Sequence, residues 1–332
     1  MLTRKRAENI VKAFAGKKVL VIGDLMLDRY LSGSVHRISP EAPVPVVLVS
    51  GERTSPGGSA NVASNIQSLG GQAIVVGIVG HDQAADDLTK ALSSRGIRTD
   101  GIVACDWTRT TVKTRVVAER QQVVRIDYED SPELAAYAKK DLCERVAQLA
   151  RESDAIIIED YGKGVISQEV IDAALAAAKK RKIRIGLDPK DNHELKLHGI
   201  TLATPNYKEA CMAARLKEIP LGKDPLSNKN LEQAGEILLK KWTPELLIIT
   251  LGAQGMYLLS GTEKPQVIPT KAREVFDVSG AGDTVIATAI LALVSGADHY
   301  ESASIANHAA GIVVGKLGTA TCSPDELVAS VE

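Results

Sequence analysis

The octapeptide Asp277-Val278-Ser279-Gly280-Ala281-Gly282-Asp283-Thr284 has the residue types that phosphoryl transfer needs, and a run rich in Ala, Ile and Leu follows it. Glycines at 280 and 282 let backbone approach a ligand closely, and the free N–H groups of a helix start bind anions. A carboxylate at Asp283 would repel a phosphate that was merely held there. It becomes useful if it takes the proton of a hydroxyl attacking that phosphate. Backbone amides plus an Asp base are the minimum equipment for the transfer. Read alone, the segment is equally a glycine-rich turn with an Asp helix cap.

Three other clusters have chemistry in them. Gly57-Gly58-Ser59-Ala60-Asn61 opens a helix. Its glycines let a small polar ligand rest on backbone, and Asn61 can donate and accept hydrogen bonds to sugar hydroxyls. A tight strand-to-helix turn would look similar. Gly23-Asp24-Leu25-Met26-Leu27-Asp28 follows an apolar strand, at the carboxyl end where α/β folds bind ligands. Asp28 there can hold vicinal hydroxyls, or be a solvated loop acid. Thr204-Pro205-Asn206-Tyr207-Lys208-Glu209 and Thr250-Leu251-Gly252-Ala253-Gln254-Gly255 follow two further strands. Asn206 and Glu209 can orient magnesium and phosphate through water. The same spacing makes a helix capping box, and spacing alone favours the cap. No GxxxxGK[ST] occurs, which excludes a P-loop. No GxGxxG follows a strand, which counts against a nicotinamide dehydrogenase.

The elements that must position these residues alternate along the chain. Val19–Ile22, Ile74–Val79, Ala155–Ile158, Ile183–Leu187 and Leu246–Thr250 are predicted as buried strands. Ala60–Leu69, Gln83–Arg95, Ser167–Lys182, Leu231–Lys241 and Ala281–Ser295 are predicted as helices. The alternation implies βαβ units, a mostly parallel sheet and an α/β layered fold. Leu31–Ser50 and Thr110–Tyr128 break the pattern: both are Val- and Thr-rich with interspersed polar residues, the second turning near Ala118–Gln121. They are expected to form a small β-sheet lid, or else an ordinary edge extension. A lid leaves edges that need covering, so a homodimer through it is expected. Residues 1–332 are read as a single domain with lid segments at about 31–50 and 110–128.

Composition narrows the classes. Phe, Tyr and Trp are only 3% of 332 residues, which argues against a stacking platform for single-stranded nucleic acid. With 40 Lys plus Arg against 41 Asp plus Glu there is no global basic field for nucleic acid or membrane, so an anion must be recognised locally. Cys105, Cys143, Cys211 and Cys322 are far apart without a CxxC pair, as for reduced thiols of a cytosolic protein. The amino-terminal segment lacks the apolar stretch of a signal peptide, and the longest apolar run, Val285 to Val294, is half a membrane span. A cytoplasmic protein is expected.

Together the motifs resemble the PfkB (ribokinase-like) family of carbohydrate kinases, in order over nearly the whole chain: GD…D from residue 23, GGSAN at 57, NYKE at 206, TLGAQG at 250 and DVSGAGDT at 277. The resemblance implies a three-layer α/β sandwich with a β-sheet lid, and ATP-dependent phosphorylation of a sugar or nucleoside hydroxyl with Mg2+ and often K+. By the resemblance, Asp283 is the catalytic base, and Ser279, Gly280, Ala281 and Gly282 form the anion hole. Asp28, Gly57, Gly58 and Asn61 match sugar-binding positions, and Asn206 and Glu209 the magnesium-orienting NxxE. Thr250, Gly252 and Gly255 match nucleotide-phosphate positions, and Asn307 falls where the adenine pocket lies. Asp277 and Ser279 match monovalent-cation ligands. The sequence departs from the frequent DTxGAGD at Asp277-Val278, and Gly80-His81-Asp82-Gln83-Ala84-Ala85 departs from GxDxxG.

Within the family, Asp24–Tyr30, His36–Pro45, Glu159–Val165 and Asp188-Pro189-Lys190 resemble the heptose 7-phosphate kinases of lipopolysaccharide core synthesis. That resemblance implies phosphorylation of the C1 hydroxyl of D-glycero-beta-D-manno-heptose 7-phosphate to the 1,7-bisphosphate. A sugar already carrying about two negative charges needs fixed cations. Lys163 and Lys190, after strand ends, and Arg37, on the lid, are the candidates. The alternatives are another PfkB-type kinase acting on a hexose phosphate or neutral sugar, and a non-catalytic sugar- or nucleotide-binding module. The heptose enzyme also occurs fused to a nucleotidyltransferase. No HxGH motif occurs among the six histidines, so a stand-alone kinase or a kinase half is expected. With so few aromatic rings, adenine should be held by aliphatic contacts.

Overall fold

The computed structural model describes residues 2–119, 121–130, 136–190, 195–261, 264–272 and 274–331. The first half holds α1 (Arg4–Lys12), β1 (Lys18–Gly23), β2 (Leu25–Ile38), β3 (Pro45–Gly58), α2 (Ser59–Ser68), β4 (Gln72–Gly80), α3 (Gln83–Ser93), β5 (Arg98–Cys105), β6 (Thr111–Ala118) and β7 (Gln121–Tyr128). It continues through α4 (Ala136–Leu149), β8 (Ala155–Glu159), α5 (Gln168–Arg181), β9 (Arg184–Asp188), β10 (Leu202–Ala203) and α6 (Tyr207–Ala213). The chain then forms α7 (Lys229–Trp242), β11 (Leu246–Thr250), β12 (Met256–Leu259), β13 (Gln266–Ile268), α8 (Ala281–Val294), α9 (His299–Val313) and α10 (Pro324–Ser330).

Nine strands form one sheet in the order β13-β12-β11-β10-β9-β8-β1-β4-β5. Its strands are parallel except that β12 and then β13 add beyond β11 at one side, each pairing antiparallel. Alternate residues of each strand feed two cores. Val19 and Val21 of β1 join Ile66 of α2 and Ile286 and Ile290 of α8 on one face. Leu20 and Ile22 join Leu142 of α4, Ile171 of α5 and Leu238 of α7 on the other. Strands covered on both faces read as continuous Val/Ile runs, which is why the sequence revealed them. Helix α8 is apolar nearly all round and buried along most of its length. Its apolar run is therefore a core helix, and among the described residues no helix is long and apolar enough to cross a membrane.

A second sheet has the order β3-β2-β6-β7. β6 and β7 form the expected hairpin, with Arg120 of its turn outside the described residues. The first lid segment is longer than the sequence suggested. β2 starts at Leu25 and β3 runs to Gly58, so Asp28 and the Gly57-Gly58 pair lie on lid strands rather than in loops. Only Asp24 separates β1 from β2, so the lid is a direct extension of the central strand.

Candidate active site

Two strand ends and one helix start converge. Glu159 and Asp188 end the adjacent strands β8 and β9 and face each other in register. Asp283 sits in the first turn of α8, and one oxygen from each of these three carboxylates lies within 4.8 Å of the others. Tyr161 donates its hydroxyl to Asp283 Oδ1 at 2.6 Å, and Asn61 Nδ2 donates to Oδ2 at 2.6 Å. Asn65 extends the buried network by accepting from Thr284 at 3.0 Å and donating to the Asn61 carbonyl at 3.0 Å.

The electrostatics follow from burial. Loss of water pushes the Asp283 carboxyl up, against the pull of its hydrogen bonds from Tyr161 and Asn61. Burial and then the charge of Asp188 and Asp283 hold Glu159 well above the ordinary carboxylate range. Burial and then Glu209 and Asp283 do the same for Asp188. Burial and the Asp283 charge keep Tyr161 neutral and a donor.

Glycine is required where the helix start meets its neighbours. Gly280 has φ 78°, and a Cβ there would stand 2.5 Å from Asn61 Nδ2. The amides of Gly282 and Asp283 follow in the first turn, where a helix offers them no intrahelical acceptor. Asp277 fixes the preceding loop by accepting from the amides of Ser279 at 2.9 Å and Gly318 at 3.0 Å.

On the lid side, buried Asp28 pairs with Arg115 of β6 at 2.5 Å, and a Cβ on Gly57 would meet Asp28 Oδ2 at 2.6 Å. Gly58, at φ 57°, turns the chain into α2 against the Asp24 carbonyl. Asp24 organises the following loop: its carboxylate accepts from the amides of Tyr161 at 2.9 Å and of Lys163 and Val165 at 3.1 Å.

Two cavities meet here. One of about 220 Å³ is lined by Glu159, Asp188, Lys190, Glu209, Thr250 and Asp283, among others. The other, of about 370 Å³, is lined by Gly252, Gly255, Met256, Val285, Asn307 and Val314 among others, and among the described residues no aromatic side chain lines it. Thr250 and Gly282 line both. Asn307 is held by a hydrogen bond from its Nδ2 to the Pro269 carbonyl at 2.7 Å. Asn206 and Glu209 do form a capping box on α6, at 2.9 Å in both directions, while also lining the acidic cavity.

The structure thus brings together Asp28, Gly57, Gly58, Asn61, Asn206, Glu209, Thr250, Gly252, Gly255, Asp277, Ser279, Gly280, Ala281, Gly282, Asp283 and Asn307. Lys190 lines the acidic cavity. Lys163 is engaged by Glu129 at 2.8 Å. Arg37 is exposed on the outer part of β2, nine residues beyond Asp28, about 30 Å along an extended strand. It is not brought to the cluster. Sequence reasoning missed Glu159, Asp188, Tyr161, Lys113 and Arg115 as a constellation. An acid closing an otherwise apolar strand, as in Ile156-Ile157-Ile158-Glu159 and Gly186-Leu187-Asp188, was the available signal. Lys113 stands with its ammonium 5.4 Å from the Tyr161 ring centroid, and burial lowers its pKa.

A family model described as pfkB family carbohydrate kinase matches residues 16–326. Bifunctional protein HldE of Pelobacter propionicus is 42% identical over 330 residues, covering 99% of this chain and 66% of the relative. HldE of Geobacter sulfurreducens is 41% identical with the same coverage. The chain therefore spans about two thirds of the length of these relatives. Among solved structures, Arabidopsis thaliana ribokinase complexed with ribose and ATP has a TM-score of 0.75 at 21% identity, over 96% of this chain and 99% of that one. Phosphofructokinase-2 from Escherichia coli in complex with potassium has a TM-score of 0.73 at 20% identity, over 94% and 97%. The fold is ribokinase-like.

Proposed function

The chain belongs to the pfkB family of ATP-dependent carbohydrate kinases, and from that premise we propose that it phosphorylates the C1 hydroxyl of D-glycero-beta-D-manno-heptose 7-phosphate, giving the 1,7-bisphosphate for ADP-heptose and lipopolysaccharide core synthesis. The observation that carries the reading is Asp283 in the acidic cavity, next in sequence to Gly282, which with Thr250 also lines the aliphatic cavity. An adenine base fits the aliphatic cavity beside Asn307, and the phosphates of ATP then reach over the α8 start to Asp283. The heptose acceptor rests on the resemblance of residues 24–30, 36–45, 159–165 and 188–190, and on the identity to proteins named HldE.

In this reading Asp28, Gly57, Gly58 and Asn61 hold sugar hydroxyls beneath the lid. Asp283 accepts the proton of the attacking hydroxyl, while the amides of Gly280–Gly282 absorb charge on the transferring phosphoryl group. The oxygen donors Glu159, Asp188 and Glu209 suit magnesium, since among the described residues Glu159 Oε2 is buried without a hydrogen-bond partner. Bound magnesium would neutralise the phosphate charge that these carboxylates otherwise repel. Asp277 and Ser279 are the proposed neighbours of potassium, which would tighten the loop they already clamp. Core and lid act as one kinase domain, and two copies pair through the apolar outer lid in the cytoplasm.

A coupled ADP-release assay tests the function. Turnover on heptose 7-phosphate and little on ribose, fructose 6-phosphate or fructose 1-phosphate is expected. Preference for a hexose phosphate or for ribose would replace the acceptor, and no turnover on any sugar would leave a binding module.

A further inference from the structure

The lid face that looks into the site has more positive charge than it balances. The β2–β3 and β2–β6 registers put Asp28, Tyr30, Arg53, Ser55, Lys113 and Arg115 on one face. Arg53 and Arg115 both lie against the Tyr30 ring, their guanidinium carbons 4.7 and 5.3 Å from its centroid. The β6–β7 register adds Arg125 and Asp127 to the same face; its two acids are committed, Asp28 to Arg115 and Asp127 to Arg125. Among the described residues no carboxylate reaches Arg53, and its guanidinium stands on the ring alone.

A second observation is independent of charge. Tyr30 is nine-tenths buried, and although the Thr319 amide faces its hydroxyl oxygen, among the described residues no acceptor takes the hydroxyl proton. A glycine brings backbone close to both donors. Gly318 has φ 75°, and the place its Cβ would occupy is 2.8 Å from Arg53 Nη2 and 3.1 Å from Tyr30 Oη. Next to it Thr319 bonds Ser55 across the lid base, Oγ1 to Oγ at 2.7 Å. Donors therefore converge on a turn kept bare of a side chain. This is the arrangement that a phosphate monoester needs: fork-shaped cations, a hydroxyl donor and close backbone approach.

We infer that Arg53, Arg115 and Tyr30, closed by the Gly318–Thr319 turn, form the site for the phosphate already carried by the acceptor sugar. The inference rests on the phosphosugar reading above and moves its anchor from the strand-end lysines to the lid. Lys163 is balanced by Glu129, and Lys190 lies among carboxylates. Tyr30 and Arg53 are two strand positions beyond Asp28, about 7 Å, so a sugar held at Asp28 has its far end at the arginines. Its reacting hydroxyl remains near Asp283.

The test measures KM for heptose 7-phosphate, for dephosphorylated heptose and for ATP in wild type, Arg53→Ala, Tyr30→Phe and the distant charge control Lys140→Ala. Arg53→Ala should raise KM for the phosphorylated sugar about 10- to 100-fold and Tyr30→Phe about 5-fold, with KM for ATP within about 2-fold. Unchanged KM for heptose 7-phosphate in Arg53→Ala overturns the site while a wild type preferring that sugar keeps the function. A rise in KM for ATP instead assigns the arginines to the nucleotide phosphates and also overturns it. A wild type active only on fructose 6-phosphate, with KM raised in the variant, keeps the site and discards the heptose. Activity on neutral sugars alone discards both.

Discussion

Tyr161 and Asp283 are joined by a 2.6 Å hydrogen bond from the tyrosine hydroxyl to Oδ1, and Asn61 occupies the other carboxylate oxygen at the same distance. Two donors fix the plane of a buried carboxylate at a helix start and leave its remaining lone pairs for one incoming proton. Removing the charge without changing the shape should isolate the base. Asp283→Asn is expected to lower kcat about 10³-fold or more while sugar affinity by calorimetry stays within a few fold. Wild-type turnover in this variant would remove Asp283 from the role.

Tyr161→Phe separates positioning from base strength. Burial raises the Asp283 pKa, and the Tyr161 hydrogen bond opposes that rise by favouring the carboxylate. Without the hydroxyl the carboxyl is protonated more readily. The acid limb of the kcat profile should therefore move to higher pH, with a drop of about 10-fold at neutral pH that recovers in part on the alkaline side. A uniform drop with an unmoved limb would make Tyr161 a packing residue only.

Much of this was legible in the sequence, and what escaped it has physical causes. Buried parallel strands and α8 are continuous apolar runs, so periodicity finds them; β10, with two residues, and the antiparallel strands β12 and β13 are too short to stand out. Asp283 and Asn61 announce themselves through neighbouring glycines. Tyr161, 122 residues from Asp283 in sequence, carries no local signal, because its role exists only once β8 and α8 are side by side. Asp24, four residues before Asp28, stands in the same Gly23–Asp28 segment after β1. Three backbone amides make it the anchor of the Tyr161–Val165 loop, and only the fold tells the two acids apart.

Glu209 serves a helix and a cavity at once, and two substitutions divide those duties. Glu209→Gln keeps an oxygen able to accept from the Asn206 amide, so stability should be unchanged. The magnesium concentration for half-maximal rate should nonetheless rise about 10- to 100-fold. Glu209→Ala should add a loss of about 1 kcal/mol in denaturant unfolding. Equal magnesium dependence in wild type and Glu209→Gln would confine the residue to the cap.

The lid presents Ile38, Val44, Leu48, Val49, Val124 and Ile126 to solvent in the isolated chain. An exposed apolar set on one small sheet marks an association surface. Leu48→Glu should convert a dimer to a monomer in sedimentation at micromolar concentration without changing the unfolding temperature by more than about 2 °C. A wild type that sediments as a monomer would end the lid-dimer reading.

The carboxylate pair at the ends of β8 and β9 sets stability against function. Both Glu159 and Asp188 have folded pKa values raised well above those of an unfolded chain, first by burial. A raised carboxyl pKa means that the native state binds more protons than the unfolded state. The associated stability is complete below the ordinary carboxylate pKa and is lost progressively as pH rises towards the folded values. Glu159→Gln stays neutral at every pH and escapes that loss. Its unfolding temperature should therefore exceed that of wild type by a margin that widens from pH 5 to pH 8 in metal-free buffer. Its turnover should fall, because the freed charge is what would hold magnesium. Parallel melting curves for the two proteins across that range would show instead that the pair is solvated or counterbalanced, and would remove the trade between a quiet core and a chargeable site.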